Sequence, residues 1–122
     1  MNLPSPRPER LARRAELVGR LAPLVDAGGL IHRQEDLVAY ECDGLSAYRQ
    51  APLAVALPTS AEQVAAVLRA CSELDIPIVP WGAGTGLSGG ALPLGDGIVM
   101  SLARMNRILR IDTDDRTVTV EP

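Results

Sequence analysis

The stretch with the clearest chemical capacity runs Pro80-Trp81-Gly82-Ala83-Gly84-Thr85-Gly86-Leu87-Ser88-Gly89-Gly90, in which five of the nine residues from Gly82 onward are glycine. Glycine reaches positive φ and lets a ligand approach the backbone, so successive N–H groups can turn toward one anion. Thr85 and Ser88 add hydroxyl donors, while the loop itself holds no lysine or arginine. Two phosphates would therefore be held largely by neutral main-chain dipoles, which suits a diphosphate bridge embedded in protein.

Three nucleotide readings make different demands on the residues after the loop. A Walker loop needs Gly-Lys-Ser or Gly-Lys-Thr, and here Gly89 and Gly90 are succeeded by Ala91, which removes the lysine and the magnesium-binding hydroxyl. A dinucleotide fingerprint is present at Gly84, Gly86 and Gly89, but that pattern must open a helix. Pro93, Gly95 and Gly97 oppose a helix, and Arg104 stands about twenty positions on, where an acidic residue is required. A diphosphate loop that opens no helix is the third reading. The bland alternative is a glycine-rich turn that binds nothing. Against it, glycine costs up to about 1 kcal/mol relative to alanine in regular structure, so a concentrated run needs a geometric reason.

The elements that must carry this loop can be read on either side of it. Leu53–Leu57 is an aliphatic run closed by Pro58, which predicts a buried strand. Thr59 or Ser60 supplies an N-cap, with Glu62 and Gln63 at capping-box spacing. The next helix, to about Leu74, carries Val64, Val67, Leu68, Cys71 and Leu74 on one stripe. Ile76–Val79 is the next strand, so residues 53–80 form a strand, helix, strand unit expected to be a right-handed parallel crossover. Beyond the loop, Asp96 and Gly97 form a turn before a third strand at Ile98–Leu102. Ile108–Ile111 and Thr117–Val120 then flank a polar stretch of hairpin-like length, and the alternation Val118, Val120 predicts one covered face. Toward the N-terminus, Leu11, Leu17, Leu21, Leu24 and Val25 predict a helix kinked at Pro23, and Gln34–Ala39 a short second helix. The stretch from Tyr40 to Pro52 reads as ordered loop. No repeat or low-complexity segment is present, and the stop at Glu121 and Pro122, with no closing element, suggests a fragment.

Composition narrows the class. With 122 residues, 47% hydrophobic content and a net charge of −3, the chain falls in the range of one globular domain. Trp81, Tyr40 and Tyr48 are the only aromatic residues besides His32, so the core must be aliphatic, as in a parallel α/β arrangement. Arginines interspersed with carboxylates argue against nucleic acid as a partner. Arg7, Arg10, Arg13 and Arg14 alternate with Glu9 and Glu16, which reads as a solvated helix face more than a transit peptide. Met1–Arg20 lacks the apolar stretch of a signal peptide, and no run is long enough to span a bilayer. Cys42 and Cys71 are too few for a disulfide framework or a metal knuckle and read as reduced thiols in a cytoplasmic protein. No metal site is expected.

At the level of motifs, Ile76-Pro77-Ile78-Val79-Pro80 with Gly82–Gly90 resembles the first pyrophosphate-binding loop of the FAD-linked oxidases of the vanillyl-alcohol oxidase and p-cresol methylhydroxylase type. Arg104-Met105-Asn106-Arg107-Ile108 resembles the segment after that fold's third strand. Within the family, Tyr40-Glu41-Cys42-Asp43-Gly44-Leu45-Ser46-Ala47-Tyr48-Arg49 is similar to the FAD-binding subunits of bacterial glycolate oxidases. The resemblance covers about Leu30 to Pro122. It implies an α+β, α/β-like fold: N-terminal helices and an ordered loop over residues 1–52, then a small parallel βαβ core with further strands over 53–122. The latter would be an incomplete first subdomain of a PCMH-type FAD-binding domain.

By the same resemblance, Gly82–Ser88 would contact the FAD diphosphate through main-chain N–H groups, with Pro80 and Trp81 setting the loop's entry. Many relatives carry arginine where Trp81 stands, and its indole is expected to anchor the loop by packing. Some relatives attach the flavin through a loop histidine, absent here, so FAD is expected to be noncovalent. His32, ahead of the first strand, reads as a surface or capping residue, and Cys42 with Asp43 as packing residues.

The whole enzyme so implied is an FAD-dependent oxidoreductase acting on a small 2-hydroxy acid such as glycolate. Its partners would be other oxidase subunits, among them an iron-sulfur electron-transfer subunit, with attachment through them to the inner face of a membrane left open. Catalytic residues are expected in a cap domain beyond Pro122, so none is assigned here. The competing reading is a non-catalytic nucleotide-binding or subunit-docking module, with a Rossmann-type NAD-binding protein behind it.

Overall fold

The computed structural model describes residues 3–122; Met1 and Asn2, which begin both the segment read for a signal peptide and the 1–52 unit, lie outside the described residues. Pro8 opens α1 (Pro8–Ala12) at a first-turn position where its missing N–H costs nothing. The single N-terminal helix expected from leucine spacing is broken at Arg13 (φ −86°, ψ 1°), and α2 (Arg14–Leu21) starts afresh. It tightens into a 3-10 turn over Ala22–Leu24, since Pro23 has no N–H for an α-helical bond. Leu17 and Leu21 are fully buried.

Of the N-terminal arginines read as a solvated face, Arg7 and Arg13 are exposed, while Arg10 and Arg14 are partly buried, and three of the four turn their side chains onto acceptors of the core layer. Arg13 donates to the carbonyl of Leu74 at 2.8 Å, Arg14 donates to those of Leu53 and His32, and Arg10 pairs with Asp75 and Asp96. These bonds hold the helical segment onto the sheet.

Strand β1 (Leu30–Ile31) is followed by α3 (Gln34–Leu37), which continues as a 3-10 turn over Val38–Tyr40, and then by β2 (Ala54–Ala56). β1 is not among the strands expected from the sequence, and it puts His32 after the first strand, exposed, rather than ahead of it. Only a tertiary partner defines β1. It runs antiparallel to β2, with Leu30 opposite Ala56, and Leu57 donates its N–H to the carbonyl of Gly29 at 2.7 Å.

α4 (Ala61–Glu73) is capped by Ser60, whose hydroxyl accepts from the N–H of Gln63 at 3.2 Å. The Gln63 side chain reaches back to accept from the N–H of Thr59 at 2.9 Å, one residue ahead of the cap, so the box expected from Thr59, Ser60 and Gln63 forms with its return bond shifted by one residue. Asp75 (φ 54°) ends the helix in the left-handed region, and Ile76 donates to Cys71. Val67, Ala70 and Cys71 face the core, but Leu68 is 47% exposed and departs from the expected stripe. Ala70 takes the inward place in the core cluster.

β3 (Ile78–Trp81) and β4 (Ile98–Ser101) complete a four-stranded sheet of order β1-β2-β4-β3. β2 and β3 both run parallel to β4, which is inserted between them, with Val55 and Val79 flanking Val99. The strand, helix, strand unit is thus a parallel crossover that skips one strand. Side chains alternate across the sheet: Ala54, Ala56, Ile98 and Met100 pack with Leu17, Leu21, Val67 and Cys71 on the helical side, while Val55, Val99 and Trp81 pack with Leu37 on the other. Burying each such Val or Ile contributes about 1.5–3 kcal/mol, so the sheet is held from both faces.

β5 (Ile108–Asp112) and β6 (Thr117–Val120) form a separate antiparallel ribbon with a bulge near Leu109. Its ends are tied by Arg107 and Glu121, which exchange main-chain and side-chain bonds of 2.6–3.0 Å. The expected covered face is missing within this chain: Ile108, Leu109, Ile111, Val118 and Val120 are all more than half exposed. A two-stranded ribbon has no second layer of its own to bury them.

Candidate functional site

The loop begins where β3 ends. Trp81 is pinned on the sheet by pairing opposite Ser101, and its carbonyl accepts from the N–H of Leu102 at 3.0 Å. From Gly82 the chain leaves the sheet and returns to Ile98 without entering a helix. A Rossmann arrangement needs a helix opening inside the glycine pattern, so the dinucleotide-fingerprint reading does not hold.

Trp81 is the loop's foundation, as the packing role expected for it requires. The residue is 91% buried, and its ring meets Tyr40 edge to face, with centroids 5.6 Å apart. Gly84 (φ 69°) sits so close that a Cβ there would lie 2.4 Å from the indole carbon Cζ2. Gly84 is therefore required twice, by its φ and by the ring beneath it, and Gly89 (φ 81°) is required by its backbone.

The other three loop glycines are different. A Cβ added at Gly82, Gly86 or Gly90 would meet nothing within 4 Å, and none of the three has positive φ. Neither backbone strain nor packing among the described residues explains them, and their bare backbone leaves the main chain open to close approach by a ligand. That is the test of fit for a diphosphate, and the loop passes it. Ala83, Thr85, Leu87 and Ser88 are exposed between these glycines, with Leu87 at 74%. Pro80 is exposed on the last turn of the strand before the loop.

A second segment supports the loop from behind. Gly44 lies against it so tightly that a Cβ would come 2.7 Å from the carbonyl oxygen of Gly86 and 2.8 Å from that of Thr85. Asp43 is buried and turns its Oδ1 onto the N–H of Leu45 at 2.8 Å, while its Oδ2 has no partner. Cys42 is half-buried beside it. The packing role expected for Cys42 and Asp43 fits this position. The supporting contacts of Tyr40 and Gly44 are not legible in the sequence, since only the fold brings residues 40–50 under residues 81–86. Cys71 is far from reactive: burial pushes its thiol up to about 11, against a small opposing effect of Arg20.

Beside the loop lies an open apolar depression of about 370 Å³ lined by Gly82, Ala83, Leu102, Ala103, Met105, Asn106 and Pro122. It borders another along α4 that includes Val64 and the exposed Leu68. Among the described residues no cluster of His, Cys, Asp and Glu could hold a metal, and no helix is long and apolar enough to cross a membrane.

Residues 52–122 match the profile of the family described as FAD binding domain. The glycolate oxidase subunit GlcD of Escherichia coli is 52% identical over 93 residues, which is 76% of this chain and 19% of that protein. A D-2-hydroxyglutarate dehydrogenase of Xanthomonas citri is 43% identical over 86 residues, 70% of this chain and 18% of that protein. The chain thus spans about a fifth of the length of these relatives. Among solved structures, p-cresol methylhydroxylase with substrate bound superposes with a TM-score of 0.67 at 27% identity, over 90% of this chain and 22% of that one. With more than half of its residues matched to one profile, on a fold shared with p-cresol methylhydroxylase, the chain belongs to the FAD binding domain family and takes FAD as its cofactor.

Proposed function

We propose that the segment Pro80–Gly90 holds the diphosphate of FAD, with Gly82–Ser88 presenting main-chain N–H groups and the hydroxyls of Thr85 and Ser88 available as further donors. The observation that carries this reading is the trio Gly82, Gly86 and Gly90, whose missing side chains serve nothing inside the chain. Pro80 and Trp81 set the loop's entry, Gly84 and Gly89 its backbone path. The apolar depression against Gly82 and Ala83 offers a dry wall for an adjoining ring of the dinucleotide. No histidine lies in the loop, so the flavin is held noncovalently.

Residues 1–52 act as a helical and looped support and residues 53–122 as the first, incomplete subdomain of the cofactor cleft; the family match starting at residue 52 supports that division. The whole protein oxidises a small 2-hydroxy acid of the glycolate type, as the names of its relatives suggest. Bound flavin supplies the two-electron acceptor for such an oxidation. This chain supplies the cofactor's position. The likeness to a glycolate oxidase subunit supports other oxidase subunits as partners; an iron-sulfur subunit among them and a place in the cytoplasm are part of the same proposal.

Two measurements test the reading. FAD added to the apoprotein is expected to lose fluorescence on binding, and the full-length protein is expected to reduce a dye acceptor with glycolate. Residues 1–122 alone are expected to bind FAD weakly and to turn nothing over. Turnover by residues 1–122 would refute the division of labour, and an unquenched flavin would refute the cofactor site. Binding without turnover by the full-length protein would favour a docking or nucleotide-binding module.

A further inference from the structure

The segment that returns from the glycine-rich loop to β4 has little regular hydrogen bonding of its own, and it is anchored from the N-terminal helices. Asp96, just before β4, is 92% buried at its side chain. Its Oδ2 accepts from the Arg10 guanidinium at 3.0 Å and from the N–H of Arg7 at 3.2 Å. Its neighbour Gly95 is packed so that a Cβ would lie 2.8 Å from both Pro6 and Gln50. The same Arg10 side chain, itself only 17% exposed, also reaches Asp75 at 3.2 Å. Asp75 forms the turn that feeds β3 and hence the loop's entry. One guanidinium thus ties the segment leading into the loop to the segment leading out of it.

We propose that Arg10 is a positioning residue for the cofactor loop: beyond the β3–β4 pairing that holds the loop's two ends, its bonds to Asp96 and Asp75 steady the segment by which the loop returns, and so the geometry in which the loop amides meet a diphosphate. The inference rests on the reading of that loop as the FAD site. It assigns a role to a side chain outside the family match, which starts at residue 52. The Arg10–Asp96 bond, charge-assisted and partly buried, resists displacement by water better than a surface pair does, whereas the Asp75 arm, with that carboxylate 75% exposed, is the weaker of the two. The Arg20–Glu73 ion pair on the same helical layer, exposed at both partners, is the natural control.

The test uses full-length apoprotein with Arg10→Gln, Arg10→Lys, Asp96→Asn and, as control, Arg20→Gln. FAD Kd is read by fluorescence quenching and apoprotein stability by thermal unfolding. Arg10→Gln and Asp96→Asn are each expected to raise Kd about tenfold, the double variant little further, and Arg10→Lys to recover part of the loss. Arg20→Gln is expected to leave Kd unchanged. A lower melting temperature in Arg10→Gln and Asp96→Asn with FAD Kd equal to that of the parent would overturn the proposal and leave the contact purely structural. Should Arg10→Gln not fold, Asp96→Asn, which keeps the side chain's shape, decides alone. Failure of the FAD reading is distinct, since the parent protein itself would then not quench flavin.

Discussion

Helix α4 and the loop Gly82–Gly90 pack against the same sheet, and they differ in whether the chain satisfies them. On α4, Val67, Ala70 and Cys71 all press on partners supplied by β2, β4 and α2, so packing alone accounts for their identity. In the loop, Gly84 is accounted for in the same way, by Trp81, but Gly82, Gly86 and Gly90 face open space. That difference is what the proposed diphosphate site rests on: these three positions have no cause among the described residues.

The contrast can be broken most forcefully in the core. Leu17→Ala empties a fully buried position between α2 and α4 and is expected to cost about 2–5 kcal/mol in urea unfolding. FAD affinity of the folded fraction should then stay near that of the parent. The two loop glycines give a sharper division. Gly84→Val drives a side chain into the Trp81 ring at positive φ and is expected to lower both stability, by about 2–4 kcal/mol, and FAD affinity. Gly86→Val meets only open space, so stability should hold within about 0.5 kcal/mol while FAD Kd rises at least about tenfold. A Gly86→Val protein that binds FAD normally would remove the argument from unexplained glycines.

Much of this architecture is legible in the sequence because its signals are local. The run Leu53–Leu57, the Ser60 cap with Gln63, and the hairpin around Asp112–Arg116 each carry their own instruction. β1 does not, since Leu30 and Ile31 become a strand only by pairing with Ala56 and Val55. The arginines of the N-terminal helices read as solvated in the sequence because their acceptors, at Leu53, Leu74 and Asp96, are distant along the chain. Within the site, the glycine count is visible to a reader of residues, but which glycine serves the backbone and which serves a ligand depends on φ and on Trp81. Val118 and Val120 carry the alternation of a covered strand, yet this chain holds no layer to cover them.

Two smaller effects extend the comparison. Ser60→Ala removes the hydroxyl that accepts from Gln63 and is expected to cost about 1 kcal/mol in thermal unfolding, with no change in FAD binding. The weakest effect is on pH. Asp96 is desolvated, which favours its neutral form, but Arg10 and the Arg7 N–H outweigh this and hold its carboxyl below the ordinary 3.8. Thr59 and Gln63 lower Asp26, and Arg107 lowers Glu121. A carboxyl lowered in the folded state contributes stability that is present above its unfolded pKa and is lost as pH falls through the folded value. The melting temperature should therefore be level through neutral pH and decline only below about pH 4, where these groups protonate. Asp96→Asn should flatten part of that decline, and an unchanged acid limb would show that Asp96 does not contribute to it.

The most direct measurement is a crystal structure of the full-length protein with FAD. The account predicts both phosphates within about 3 Å of main-chain nitrogens between Gly82 and Gly90, with the Trp81 ring still seated under Gly84. A diphosphate bound to another part of the chain, or a helix formed within those residues on binding, would contradict it.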